Sequence, residues 1–386
     1  MAHALLSASG ASRWMACTPS ARYEQQFPNS TSSFAEEGTL AHEIGEIYLR
    51  KFIGEITAQK YTALLKKIKK SNLYQEEMLD YVSLYTGIVL EKFSEARARS
   101  EDAVLKVEEK LDFSNYVDKG FGTGDAIIIS DGILEIYDLK YGKGVRVEAK
   151  ENPQMMLYAL GALNEYDLLY DIELVRMTII QPRLDHLSGY EIEADKLRDW
   201  GENTVKPLAK LAYEGKGEFN PGEKQCKFCK ARYKCRARAE KNLELAKYEF
   251  KNTNDLTNIE ISDILNKLPE FESWVKDIKD GALKAALEGE SFPGWKVVEG
   301  RSSRKITNEK DVINVMDELG YEPGQYLNTK LKGIGDLEKL IGKKDFNNVL
   351  GDFITIPEGK PTLVIENDKR PAYNPANKAA DDFKEE

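Results

Sequence analysis

Two short apolar runs, residues 126–129 and 133–137, flank the turn Ser130-Asp131-Gly132 and predict a β-hairpin. The period changes on either side of it. Leu40, Ile44, Ile47 and Tyr48 recur at helical spacing, so a helix is expected over 36–52. A longer helical pattern covers 58–98, broken near Ser71-Asn72, and a strand is expected over 103–113. After the hairpin come a helix over 152–163, a strand over 172–181 ending at Pro182, a strand over 189–192 and a helix over 195–213. The opening SASGASRWMACTPSARY predicts a capped short helix leading to Cys17 and ended by Pro19, and 28–33 reads as a polar loop. Helix, three strands, helix, strand is the resulting order. The first three strands should form a meander, with the fourth joined through a helical crossover. The expected class is α/β, a mixed sheet flanked by helices.

Beyond 213 the pattern weakens. A Gly-rich loop at 214–225 precedes a cysteine group, a charged helical stretch runs to about 251, and a helical segment follows over 259–287. Residues 294–365 are mixed, with strand-like WKVVEG and TLVIE, and the tail 366–386 is polar and expected to be disordered. This divides the chain into a main domain at 1–240, a helical or α+β module at 241–365 and the tail at 366–386.

Composition narrows the setting. The chain has 386 residues, 41% hydrophobic and 31% charged, enough for a sizeable core and a second, smaller unit. No apolar run approaches the roughly 18 residues of a membrane helix. MAHALLSASGASRW lacks the basic and apolar regions of a signal peptide, so a cytoplasmic location is expected. The four cysteines then suggest a metal or cluster before disulfides. A net charge of −10 means that the overall field does not attract nucleic acid. Contact with it must come from a local basic patch or bridging cations.

Candidate chemistry sits on the hairpin. Asp125 is expected at the start of its first strand, and Asp138 and Lys140 at the end of the second, two apart and on one face. A tip at 130–132 brings Asp125 alongside them. Two carboxylates and an ammonium on one point suit phosphodiester hydrolysis: carboxylates hold hard divalent cations, and a lysine orients water or offsets charge on the phosphate.

These residues resemble the PD-(D/E)xK nuclease superfamily, in its RecB-like branch with an iron–sulfur cluster, which includes the AddB nuclease domain and the CRISPR adaptation nucleases. The pattern GxxxH, GxxD, (D/E)xK, QxxxY is matched by Gly38–His42, Gly122–Asp125, Asp138–Lys140 and Gln154–Tyr158, in order and over roughly residues 1–240. More closely, the whole chain resembles an uncharacterised phage and prophage family of this type. The resemblance implies a restriction-endonuclease-like αβββαβ core closed by a cluster subdomain, with an extra α+β C-terminal segment. It implies that His42, Asp125, Asp138 and the Leu139 carbonyl hold Mg²⁺ or Mn²⁺, the histidine leaning toward Mn²⁺. Lys140 would assist the attacking water, and Gln154 and Tyr158, sharing a helix face, would sit at the site and touch DNA. Glu46, one turn after His42, is a spare acidic group.

Cys226, Cys229 and Cys235 give C-x2-C-x5-C, and Cys17 is the remaining cysteine. One cysteine near the N-terminus and three after the core resembles the arrangement of that branch, which implies a [4Fe–4S] cluster; zinc held by the same thiolates and unliganded thiols are the alternatives. Lys227, Lys230, Arg232, Lys234 and Arg236, with Lys224, Arg238 and Lys241, are interleaved with Phe228 and Tyr233 as a candidate DNA-backbone patch, and Lys143 on a glycine-flanked loop is a further candidate. The expected activity is metal-dependent deoxyribonuclease, an exonuclease in phage recombination or replication acting on single- or double-stranded DNA ends. The alternative is a non-catalytic DNA-binding or recombination-partner protein on the same fold. A phage single-strand-binding protein or polymerase could dock on 255–365, and a homo-oligomer or ring is compatible. Exo- or endonuclease action, polarity and strand preference stay open.

Overall fold

The computed structural model describes residues 4–373 apart from 29–32, 246–255, 301, 329, 356–358, 360 and 366–367. The chain divides into two compact units, Met1–Trp274 and Val275–Glu386. Most of the expected disordered tail, and the end of the charged stretch running to 251, lie outside the described residues.

The first unit is built on one five-stranded sheet whose spatial order follows the sequence. Its strands are β1 (Val104–Asp112), β2 (Phe121–Ser130), β3 (Ile133–Leu139), β4 (Leu174–Gln181) and β5 (His186–Glu193). β1, β2 and β3 form the antiparallel meander, β4 lies parallel to β3, and β5 returns antiparallel. Gly132, with φ +73°, takes the left-handed position that closes the β2–β3 turn. Along β2 the apolar residues alternate between two cores: Ile127 and Ile129 pack into one, Ala126 and Ile128 into the other. Central strands buried on both faces read as continuous apolar runs, and each fully buried isoleucine or leucine stabilises the fold by about 1.5–3 kcal/mol.

Helices cover both faces. In chain order the helices are α1 (Ala11–Ala16), α2 (Ser20–Tyr23), α3 (Ser33–Phe52), α4 (Ala58–Ile68), α5 (Glu77–Arg99), α6 (Pro153–Tyr170), α7 (Ala194–Trp200), α8 (Lys206–Glu214), α9 (Glu223–Cys226), α10 (Arg236–Leu243) and then α11 (Asn258–Leu287), whose residues fall on both sides of the division between the units. α6, the crossover, packs with α1, α7 and α8 in one core, and α3 and α5 belong to the other. The start of α6 is set by Asn152, whose side chain accepts from the Gln154 and Met155 amides, followed by Pro153. It runs to Tyr170, well past the expected end at 163.

Two local expectations are corrected. Helix α1 stops at Ala16 because Cys17 leaves the helical region (φ −135°, ψ 82°), and Pro19 caps the start of α2 instead of ending α1. The single helix expected over 195–213 is interrupted between α7 and α8 by a π turn, Gly201–Val205. Pro207 has no N–H to continue the ladder there, which accounts for the switch.

In the second unit, WKVV forms β6 (Trp295–Val298). β7 (Lys305–Ile306), α12 (Glu309–Glu318), α13 (Pro323–Tyr326), β8 (Leu327–Asn328), β9 (Lys330–Leu331), α14 (Ile334–Ile341), α15 (Lys343–Leu350), β10 (Ile354–Thr355) and β11 (Thr362–Ile365) follow. β6 pairs with β11, β7 with β10 and β8 with β9. Val312, Met316, Tyr326, Leu337, Phe346 and Leu350 form the core.

Candidate functional site

The sheet opens at Asp125. This residue lies within β2, not at its start as the sequence suggested, because β2 begins at Phe121. The β1–β2 register passes from Val107↔Ala126 to Glu109↔Gly124 without pairing Glu108 to Asp125. On the other side the β2–β3 ladder ends at Ala126↔Tyr137. Both ladders therefore break beside Asp125. Glu108 takes a left-handed backbone, φ +50°, which costs a glutamate on the order of 1–3 kcal/mol.

Side chains fill the opening. Asp125 Oδ1 lies 3.2 Å from His42 Nδ1, and its Oδ2 accepts the Leu139 N–H at 2.7 Å. The Leu139 amide thus fixes the Asp125 carboxylate, a contact separate from the metal-facing role that the resemblance implied for its carbonyl. Asp138 is buried; its Oδ1 accepts from Lys140 Nζ and from Gln154 Nε2, both at 3.1 Å. Lys140 Nζ also donates to Gln154 Oε1 at 3.2 Å, and Gln154 Nε2 reaches the Tyr158 hydroxyl at 3.2 Å. Gly122 explains part of the GxxD spacing: a Cβ there would sit 2.5 Å from Tyr158 Cε1. Gly38 is different, since a Cβ there would meet nothing within 4 Å, leaving open space one turn from His42 on the same helix face.

Glu108 was missed by the sequence reading, and it completes the group. His42, Glu108 and Asp125 each present a ligand atom within 4.8 Å of the others. Two adjacent glutamates interrupting the alternation of VLKVEEKLD are the signal that could have found it. Glu46, the spare acid expected from the sequence, instead accepts from Arg50 at 2.8 Å. Tyr85 was also overlooked; its buried hydroxyl has no hydrogen-bond partner.

The charges are strongly coupled. Burial pushes Glu108 up to about 7, with Asp125 adding to the rise. Burial also raises Asp138, reinforced by Asp125 and opposed by Lys140. Asp125 is held low despite burial, because His42, Lys140 and the Leu139 amide outweigh it. His42 rises to about 9: burial opposes its charge, but Asp125 prevails. Lys140 is raised in the same way by Asp138.

A hard divalent cation fits this donor set. Two carboxylates and an imidazole converge, one carboxylate is raised to about 7 by burial and by Asp125, and Asp138 Oδ2 has no aligned donor although Lys140 Nζ is 2.8 Å away.

A second constellation lies at the chain's crossing of N-terminal and post-sheet segments. Cys17, Cys226, Cys229 and Cys235 line one cavity with Arg13, Ser20 and Tyr23, and none is in a disulfide. The Asn220 amide donates to Cys17 Sγ and the Gly222 amide to Cys226 Sγ, both at 3.4 Å. Burial raises the thiols of Cys17 and Cys226 and pushes Cys229 up to about 12. Buried Glu24 ties the segments, accepting from Arg13 Nε at 2.8 Å and the Lys230 amide at 2.7 Å. Two of the four thiols thus receive an amide donor, and among the described residues the four sulfurs do not gather as tightly as the ligand atoms of His42, Glu108 and Asp125 do.

The basic residues around it divide. Arg238 is buried and donates to the Arg232 carbonyl, so it is no part of a surface patch. Lys241 bonds the Pro221 carbonyl and pairs with Glu270. Lys227, Lys230, Lys234 and Arg236 are exposed, whereas Arg232 is half-buried and reaches the Lys227 carbonyl. Lys143 is exposed on the segment between β3 and α6, which Gln181 holds through the Val145 carbonyl and the Val147 amide. His186 lies 3.2 Å from the Val147 carbonyl.

Among the described residues no helix is long and apolar enough to cross a membrane. Among solved structures, the chain is similar to one described as "Crystal structure of SSO0001", with 18% sequence identity and a TM-score of 0.24, over 51% of this chain and 85% of that one. A family model described as "Protein of unknown function (DUF2800)" matches residues 3–371, and the chain belongs to that family.

Proposed function

We propose that this protein is a metal-dependent DNA nuclease of the PD-(D/E)xK type, an exonuclease working on DNA ends in phage or prophage recombination or replication. One observation carries this reading: His42, Glu108, Asp125, Asp138 and Lys140 converge where the ladders on both sides of β2 break. The order β1, β2, β3, α6, β4 supports it, being that of the restriction-endonuclease-like core.

Asp125, Asp138, Glu108 and His42 would hold Mg²⁺ or Mn²⁺, which polarises the phosphate and acidifies the attacking water. Lys140, held by Asp138 and Gln154, would supply positive charge beside the carboxylates to offset charge developing on the phosphate. Gln154 couples this lysine to Tyr158, so the QxxxY helix fixes the site's geometry. The four cysteines would hold a [4Fe–4S] cluster, or zinc, pinning the N-terminal segment to the region after the sheet. Assembly as a ring, and docking of a replication partner on 255–365, belong to the same proposal.

The test uses anaerobically purified protein on end-labelled single- and double-stranded DNA with Mn²⁺, Mg²⁺ or EDTA, and Lys140→Ala as control. Metal-dependent shortening from one end, absent in the variant, is the expected result. Cleavage at wild-type rate by Lys140→Ala or Asp138→Ala refutes the site. Binding without cleavage under either metal moves the protein to a non-catalytic role.

A further inference from the structure

We propose that the outer face of α4 is a docking surface for the backbone of a single nucleic-acid strand, which, resting on the nuclease reading, would lead that strand to or from the carboxylate site. In a chain of net charge −10, residues 51–70 carry six lysines and one acidic residue, Glu55. Glu55 is already taken by Arg50.

Helix geometry sorts these lysines. At 100° per residue, Lys60, Lys66, Lys67 and, just past the helix end, Lys70 fall within an arc of about 120°. Tyr61, Leu64, Leu65 and Ile68 lie on the opposite side and pack into the α3–α5 core. All four lysines are exposed. α4 itself contains no Asp or Glu, so no i,i+4 partner offsets them. Lys66 and Lys70 repel each other by a few tenths of a kcal/mol, which the helix C-terminus offsets only in part. A solvated surface helix normally mixes signs; this one is left for an anion to complete.

Aromatic faces lie beside the cations. Lys51 Nζ is 4.7 Å from the centre of the Tyr61 ring, and Tyr61 meets Tyr48 edge-on at 6.3 Å. Tyr48 is 39% exposed, and Phe52, one turn on, is 55% exposed. Basic side chains with exposed rings suit a flexible strand, which offers phosphates and stackable bases together. Along α3, Tyr48 is about 9 Å from His42, a few nucleotides of backbone. The polyanion reading is favoured over an anionic membrane by these rings and by the packing of α4 against the helix that carries His42.

The test is the quadruple variant Lys60→Gln, Lys66→Gln, Lys67→Gln, Lys70→Gln in the full chain. Affinity for fluorescein-labelled oligothymidine is followed by anisotropy in EDTA as salt is raised. Four phosphate contacts on a single strand predict that the slope of log affinity against log salt becomes shallower by about 2–3. A slope changed by less than about 1 overturns the proposal, as does a wild type that does not bind the oligomer at low salt. So does loss of binding to phosphatidylserine vesicles with the DNA slope unchanged. Cleavage of a very short oligomer, which engages the carboxylate site alone, should persist in the variant. Failure of the wild type to cleave any DNA sinks the nuclease reading while the salt slope still decides the surface.

Discussion

Glu108→Gln isolates the carboxylate that the sequence did not reveal. In the folded protein its carboxyl is pushed from 4.5 to about 7, first by burial and then by Asp125. Its charged form is therefore disfavoured by folding. The sign follows directly: the unfolded chain releases this proton first, so stability falls as pH rises from the unfolded value through about 7. A difference of about 2.5 units corresponds to about 3 kcal/mol of lost stability once the pH is well above 7, and to about 1 kcal/mol near pH 5.5. Glutamine keeps the shape and removes the charge. The metal-free variant should therefore exceed the wild type in stability by an amount that grows with pH. For a unit of this size, thermal unfolding should show an advantage rising by roughly 4–8 °C between about pH 5.5 and 8.5. Adding Mn²⁺ should reverse the order at high pH, because the wild type gains a ligand-dependent increment that the variant largely lacks. An advantage that is flat with pH would show that Glu108 is not held protonated. An equal Mn²⁺ increment in both proteins would show that it is no ligand.

The other predictions concern neighbouring groups. With His42 raised to about 9 and Glu108 to about 7, cation binding must displace protons, so apparent Mn²⁺ affinity should climb by up to about tenfold per pH unit between 7 and 9 and more steeply below 7; calorimetry in buffers of different ionisation enthalpy reads the protons released. Gly38→Ala should stabilise α3 by up to about 1 kcal/mol, since nothing obstructs the new methyl, while slowing cleavage if the open space beside His42 is where the strand passes; urea unfolding and a nuclease assay separate the two effects. Tyr85→Phe removes a buried hydroxyl without a partner, so stability should hold or rise by about 1 kcal/mol, and a fall would show that the hydroxyl is satisfied. Glu24→Ala strips the group that joins Arg13 to the Lys230 amide and should cost about 3–5 kcal/mol, with loss of any visible absorbance from the cysteine site in anaerobic protein.

The parts of this architecture that were legible share a physical reason. Hairpin, crossover and helix α3 announce themselves through periodicity, which depends only on neighbours in sequence. Asp138, Gln154 and Tyr158 sit at fixed offsets on regular elements, with Lys140 one residue past β3, so their spacing placed them together, and their hydrogen bonds to one another follow. Asp125 was brought to the right neighbours but assigned to the wrong part of its strand, because a glycine-rich FGTG gives no apolar alternation to mark where β2 begins. Glu108 was invisible for a deeper reason. Its place depends on a one-pair interruption in the β1–β2 ladder, whose register is unchanged on either side, and such a property of two strands distant in sequence is encoded by no local pattern. The same holds for Arg238, which the charge pattern put on a DNA patch and the fold buried, and for the unpaired lysines of α4, whose meaning depends on which face of that helix packs inward. The strain at Glu108 ties these points together. A left-handed glutamate costs energy that no apolar contact at that position returns, and burying its carboxylate beside Asp125 adds to the cost. A cation bound there would remove the electrostatic cost and offset the backbone one, so the interrupted pairing and the raised carboxyl are accounted for by the same occupant.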